Sequence, residues 1–124
     1  EMTYIKIGRQ QILMLPGEMF SQTVYGGYNS AEKSETGKGL EINPPPLVDV
    51  ADDKDLLVFG VSNDMTGYVL PPNDFILHPT QPFVESTRDR FNENHYHETN
   101  SMGLQTQQVI ADEFAKIMGR VQGT

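Results

Sequence analysis

The last 19 residues carry the strongest constraint on the fold, because apolar side chains recur there at helical spacing. From Thr106 onward the apolar positions are Ile110, Phe114, Ile117 and Val121, with Val109 and Met118 beside them. Charged residues take the other side, at Asp112, Glu113, Lys116 and Arg120. This pattern predicts an amphipathic helix that ends at Gly119 or Gly123. Such a helix needs an apolar surface elsewhere in the chain to pack on.

Short β-prone runs supply that surface. TYIKI and QILML flank Gly8-Arg9 and predict a hairpin, and LLVFGV at Leu56–Val61 has the apolar density of a buried strand. Pro16 and Gly17 break the chain after the hairpin, and Glu18–Tyr25 is predicted to form a short helix. The predicted fold class is α/β in the mixed α+β sense: a small sheet with the C-terminal helix packed on it.

The stretch Asn29–Asp55 is poor in large apolar residues and contains a triple proline. We interpret it as a surface loop or insertion within one domain that covers residues 1–124. The length of 124 residues fits a single domain with one core.

Charge and composition exclude several classes of function. Acidic residues outnumber basic ones by 17 to 9, for a net charge of -8, which disfavours binding to nucleic acid or to anionic lipid through a basic patch. No cysteine is present, so disulfides and thiolate zinc sites are excluded. No run approaches the length of a membrane span, and no signal-peptide pattern opens the sequence. The sequence leaves localisation open between secreted and cytoplasmic.

Two single residues are candidates for function. Glu18, in the run PGE, is either a helix-start carboxylate or a carboxylate projected from a strand end, where such groups bind metals or transfer protons. Tyr68 follows the turn formers Asn63, Asp64 and Gly67 and is either a packed aromatic or a hydroxyl with a role.

A third candidate is the run NHYHETNS. His95 and His97 would share one face if the segment were a strand, and with Glu98 they form a weak zinc motif. Asn100 or Ser101 could instead cap the final helix. The sequence contains no phosphate-binding loop, no dinucleotide fingerprint, no serine-hydrolase elbow and no HExxH motif.

Three segments, taken in order along the chain, resemble the end of the catalytic domain of neutral/alkaline non-lysosomal ceramidases. They are LPGEMF, GVSNDMTGYVLPPNDF and HYHETNSMG. The bacterial ceramidase-like members are the most similar. The resemblance covers most of the chain except Asn29–Asp55, and it rests on the ordered trio rather than on any one motif.

The resemblance implies a zinc amidase that cleaves an N-acyl bond. By position, Glu18 and Tyr68 match the glutamate and tyrosine zinc ligands, and Tyr96 matches a tyrosine near the substrate. His97 stands where the family has glutamate. The two zinc histidines and a catalytic serine of the family lie upstream, and His78, His95 and His97 do not match them. We therefore expect a C-terminal part of a larger catalytic domain, inactive alone.

The implied partners are the upstream part of the same catalytic domain and a small N-acyl amide or lipid substrate, without nucleic acid. A part of this kind is expected to expose an apolar face and to self-associate. Two alternatives stay open: a non-catalytic binding domain with a ceramidase-like fold, and an autonomous structural domain whose likeness to the family is accidental.

Overall fold

A computed structural model describes all 124 residues. The strands are β1 (Thr3–Ile7), β2 (Gln10–Met14), β3 (Glu18–Met19), β4 (Leu57–Phe59), β5 (Tyr68–Val69), β6 (Thr87–Arg88) and β7 (Asn94–His95). The α-helices are α1 (Ser21–Tyr25), α2 (Leu47–Val50) and α3 (Thr106–Gln122). Three single 3-10 turns complete the elements, at Leu40–Ile42, Pro72–Asp74 and Glu98–Asn100. The mixed α/β class predicted from the sequence is confirmed.

The main sheet has the order β1-β2-β4 and contains both predicted β regions. β1 and β2 form an antiparallel hairpin in which Ile7 lies opposite Gln10, so Gly8 and Arg9 make a two-residue turn. Gly8 has φ +62° whereas Arg9 is not in the left-handed region, which is the pattern of a type II′ hairpin. β4 lies inside the predicted Leu56–Val61 strand and pairs parallel to β2.

Two small sheets lie outside the main one. β3 pairs parallel to β5, and β6 pairs antiparallel to β7. Each has two residues per strand, so their stability depends on the tertiary packing around them.

The hydrophobic core lies between one face of the main sheet and the helices. It contains nine buried residues: Leu13, Leu15, Val24, Leu47, Val48, Ala51, Leu56, Phe114 and Met118. Phe114 is the largest of them and is fully buried, with its ring centroid 6.0 Å from that of Tyr4. The predicted packing of the C-terminal helix on the sheet is therefore present.

The buried face of α3 is turned relative to the predicted stripe. Its buried residues are Gln107, Ala111, Phe114 and Met118, whereas Val121 lies at the exposed end of the helix. Ala111 is buried although its side chain is small, and the buried Gln107 amide donates to the Tyr28 hydroxyl. The helix ends at Gly123, whose N–H bonds the carbonyl of Gly119. Neither Asn100 nor Ser101 caps it, because the N-cap residue is Gln105.

The segment after the hairpin differs from the prediction. Glu18 and Met19 belong to β3, and the helix begins only at Ser21, so no acidic residue lies in its first turn. The helix-start interpretation of Glu18 is wrong, because Glu18 N–H bonds the carbonyl of Gly67 in a strand pairing.

The Asn29–Asp55 stretch is mostly loop, yet it supplies part of the core. Leu47 and Val48 of α2 are each 1% exposed. Asn73 lies outside this stretch in the sequence, and its buried side chain holds the stretch in place. It donates to Asn29 O at 2.7 Å and accepts from Asn43 Nδ2 at 3.0 Å. The buried apolar residues of this stretch are Leu47, Val48 and Ala51, which lie in or next to α2, where it contacts α1 and α3.

The second face of the main sheet is apolar and open. Ile5, Ile12 and Leu57 are register partners across the three strands, and Met14 and Phe59 form the neighbouring pair. Ile5 is 39% exposed and Phe59 is 52% exposed.

None of the helices has the length and apolar character needed to cross a bilayer.

Replacing Phe114 with alanine tests the assignment of the core. We expect Phe114→Ala to lower the free energy of unfolding by about 3–5 kcal/mol, because it removes a fully buried ring and leaves a cavity. Val109→Ala, at a position of the same helix that is 56% exposed, should change it by less than about 0.5 kcal/mol. Urea denaturation measures both, and equal losses in the two variants would contradict the buried face described above.

Candidate functional site

The turn Ser62–Gly67 wraps around Pro16 and Gly17. Ser62 N–H bonds Leu15 O at 2.8 Å, Thr66 N–H bonds Pro16 O at 2.9 Å, and Val61 N–H bonds Gly17 O at 3.1 Å. Val61 has φ +53°, a left-handed conformation that is costly for a β-branched residue. The turn therefore fixes where the chain re-enters a strand at Tyr68.

Glu18 and Tyr68 are direct partners in the β3–β5 pair, although 50 positions separate them in the sequence. Register partners on adjacent strands project to the same face of a sheet. Glu18 is exposed and Tyr68 is half-buried. The carboxylate and the phenol that the sequence singled out are thus neighbours on one surface.

Gly67 is required at this junction. It has φ +94°, and a Cβ there would lie 1.9 Å from the carbonyl oxygen of Asn100. The turn that carries Tyr68 consequently rests on the backbone of the Glu98–Asn100 turn, with no space for a side chain between them.

Three aromatic rings surround Tyr68, those of Phe20, Tyr96 and His97. His97 stacks on Tyr96 with ring centroids 4.0 Å apart, and it meets Tyr68 edge-on at 4.7 Å and Phe20 edge-on at 5.1 Å. Tyr96 also meets Tyr68 edge-on at 6.1 Å. Tyr96 therefore lies beside Tyr68, on the wall of an open pocket of about 490 Å³ that Met65, Thr66, Gly67 and Asn100 complete.

The pKa of Tyr68 is raised above the ordinary tyrosine value. The main cause is the neighbouring Tyr96 hydroxyl, and the negative charge of Glu18 acts in the same direction. Without a cation the phenol therefore keeps its proton at neutral pH. A positive ion between the two oxygens would offset this repulsion and favour the phenolate.

His95 and His97 do not form the predicted HxH site. β7 ends at His95, so His97 lies beyond the strand, and the two imidazoles enter different surroundings. His97 joins the aromatic rings, whereas His95 lies between carboxylates. The periodicity that would have placed both rings on one face is absent because the strand is only two residues long.

The carboxylate cluster around His95 consists of Glu35, Asp89 and Glu98. Nδ1 of His95 lies 2.7 Å from Glu98 Oε1, and its Nε2 lies 2.9 Å from Asp89 Oδ2 and 3.7 Å from Glu35 Oε2. Glu35 and Asp89 were not predicted as site residues. No local pattern marks them, because Glu35 comes from the predicted loop and reaches Asp89 only through the tertiary fold.

Crowding sets the ionisation of this cluster. Desolvation and the adjacent Asp89 raise the pKa of Glu35 to about 7. Hydrogen bonds from Glu35, His95 and two backbone amides outweigh desolvation and lower the pKa of Asp89, while Asp89 and Glu98 raise the pKa of His95 despite its burial. Below neutral pH, the proton therefore resides on Glu35 rather than on Asp89.

The two groups differ in how well they fit a metal ion. Glu18 and Tyr68 supply two oxygen donors, fewer than the three or four protein ligands of a zinc site. Glu35, Asp89 and His95 supply three donor atoms that lie within 4.8 Å of one another. A pocket of about 290 Å³ lies beside this cluster, with Glu35, His95, His97 and Phe20 in its wall.

No family model matches the chain, and no match was found among curated proteins or solved structures. The ceramidase resemblance therefore stays a prediction.

The ionisation of Glu35 should make stability depend on pH. A carboxyl whose folded pKa is raised to about 7 stabilises the fold below its unfolded pKa, and this stabilisation is lost as pH rises through about 7. The raised pKa of His95 acts in the same direction. We expect the free energy of unfolding, measured without metal, to fall between about pH 5 and about pH 8, with Glu35 contributing at most about 3 kcal/mol.

Glu35→Gln should flatten that decline, because glutamine cannot ionise, whereas Glu32→Gln at an exposed position of the same segment should leave it unchanged. Urea denaturation at several pH values measures the slope. An identical slope in wild type and Glu35→Gln would mean that Glu35 does not carry the effect.

Gly67→Ala tests whether the turn rests on the Asn100 backbone. The Cβ cannot be accommodated, so we expect a loss of more than about 3 kcal/mol, beyond the cost of the positive φ alone. Gly103→Ala is the matched control, because Gly103 also has a positive φ, +129°, but nothing within 4 Å of a Cβ. If thermal unfolding gave the two variants equal losses, the close contact would have no energetic weight.

Proposed function

We propose that the chain is the C-terminal portion of a zinc-dependent amide hydrolase of ceramidase type. The observation that carries the proposal is the parallel register of Glu18 with Tyr68. These are the two residues that the resemblance assigns as zinc ligands, and neither local spacing nor charge would require them to be neighbours.

The surroundings of the pair suit a reaction at a polar surface. Tyr96, the predicted substrate-side residue, lies beside Tyr68 and lines the same open pocket. Gly67 and the wrapped turn hold the phenol in place from behind. Such support from backbone rather than from flexible side chains is what an oriented ligand needs.

In this proposal Glu18 and Tyr68 hold one side of the ion, and two histidines supplied by upstream sequence hold the other. A bound zinc ion supplies Lewis-acid polarisation of an amide carbonyl. Tyr96 positions the substrate with its ring and hydroxyl. Two donors alone bind zinc weakly, so the 124-residue chain by itself is expected to be inactive.

One observation favours the alternative of a binding or interaction domain. The open face of the main sheet is apolar over all three strands, and β2 pairs parallel with β4. A contiguous exposed apolar face of this kind is typical of a surface that another chain or segment covers. In the hydrolase proposal the same face receives the upstream part of the catalytic domain; in the alternative it receives a separate partner.

The test is a comparison of variants in the full-length gene product. We expect zinc-dependent hydrolysis of an N-acyl amide, with Glu18→Gln and Tyr68→Phe each lowering kcat/KM by about a hundredfold or more, since each removes a metal ligand. Glu113→Gln is the control, because that carboxylate is exposed on α3 and pairs only with Lys116. Hydrolysis assays with and without chelator measure the effect.

Activity that is indifferent to Glu18→Gln and Tyr68→Phe would contradict the proposed ligand roles. Hydrolysis by the 124-residue chain alone would also contradict it, because that chain would then hold a complete site.

A further inference from the structure

The cluster around His95 has the geometry of a metal site that is separate from Glu18 and Tyr68. His95 Nε2 faces two carboxylate oxygens, Asp89 Oδ2 at 2.9 Å and Glu35 Oε2 at 3.7 Å. These three atoms could all contact one ion, because each pair lies within 4.8 Å.

A buried oxygen of the cluster itself lacks a partner. Glu35 Oε2, which lies 3.7 Å from His95 Nε2, is buried without a hydrogen-bond partner. Glu98 Oε2 is also buried without a partner, but Glu98 contacts Nδ1, on the other side of the ring from the three donors, so that oxygen is not evidence for the ion. A buried carboxylate oxygen without a donor or cation is costly.

The other contacts of the cluster hold its donors in place. Asp89 Oδ1 accepts from the backbone N–H of Phe91 at 2.8 Å and of Glu93 at 2.9 Å, which leaves Oδ2 turned toward His95. Glu98 Oε1 accepts from Ile76 N–H at 3.0 Å. A carboxylate that accepts from one ring nitrogen of a metal-bound histidine is the usual outer-shell arrangement, since it fixes the tautomer and the ring plane.

The segment that carries Glu35 is anchored independently of any ion. The Arg90 guanidinium donates to the carbonyls of Ser34 at 2.9 Å, Ala31 at 2.6 Å and Glu32 at 2.7 Å. Glu35 N–H bonds Asp74 Oδ1 at 2.8 Å. Arg90 follows Asp89 directly in the sequence, so the segment that carries Glu35 is held next to Asp89. Little conformational entropy is therefore lost when an ion binds.

We propose that Glu35, Asp89 and His95 bind a divalent transition-metal ion, with Glu98 as the residue that orients His95. The imidazole binds through Nε2 and keeps its proton on Nδ1, directed at Glu98. Binding requires both carboxylates ionised and Nε2 of His95 deprotonated, so any proton on these atoms is released to solvent. Two carboxylates and one imidazole suit Zn²⁺ or Mn²⁺. The ion ties the Asn29–Asp55 segment to the β6–β7 hairpin and so supports the loop with Tyr96 and His97.

The test is a Zn²⁺ titration of the chelator-treated 124-residue chain by calorimetry, repeated in two buffers of different ionisation enthalpy. We expect one ion per chain, proton release, and a rise in Tm on loading. Glu35→Gln and Asp89→Asn should each weaken binding by about tenfold or more, and Glu98→Gln by about tenfold. Circular dichroism of the metal-free variants identifies any that fail to fold. Glu35→Gln keeps the shape of the side chain, so unchanged Zn²⁺ affinity in this variant would contradict the proposed site.

The double variant Glu18→Gln/Tyr68→Phe separates this inference from the proposed function. It should leave the affinity of the 124-residue chain unchanged. Loss of binding in that variant, with retention in Glu35→Gln, would overturn the inference while favouring the hydrolase proposal. Absence of a Zn²⁺ site in the wild-type chain would overturn the inference and leave the full-length hydrolysis test unaffected.

Discussion

The rest of the structure depends on the pairing of two segments that lie far apart in the sequence, 10–20 and 57–69. β2 pairs with β4, the Ser62–Gly67 turn then wraps around Pro16 and Gly17, and β3 pairs with β5. Hydrogen bonds continue along the whole contact, from Leu15 N–H to Phe59 O and on to Phe20 N–H to Val69 O. This single contact fixes the sheet on which α3 packs and also brings Glu18 beside Tyr68.

Two polar groups of different character lie on either side of the Tyr96–His97 step. Tyr68 and Glu18 form an open pair next to aromatic rings, whereas His95 and its carboxylates are largely buried. The residues between the groups are rigidly placed, because His97 stacks on Tyr96 and the Glu98–Asn100 turn contacts Gly67 without space between them.

Elements whose formation depends on nearby residues were predicted better than elements that depend on distant segments. The hairpin at Gly8-Arg9 and the helix α3 were predicted correctly, since turn chemistry and apolar spacing act within a few residues. The prediction of the buried face of α3 was less accurate. Ala111 and Gln107 are buried because of their fit and hydrogen bonding, which apolar spacing does not detect. The short helix was placed too early, since the strand pairing of Glu18 depends on a segment 50 positions away.

The sequence by itself determined the mixed α/β class, the strands of the main sheet and the C-terminal helix, and it singled out Glu18 and Tyr68 as separate residues of interest. Only the tertiary structure decided that these two are neighbours, that His95 and His97 separate, and that Glu35 joins Asp89. The physical reason is that helical periodicity and turn preference are encoded within a few residues, whereas a cluster of charges is assembled from distant segments. Its geometry exists only after the core and the β2–β4 register have formed.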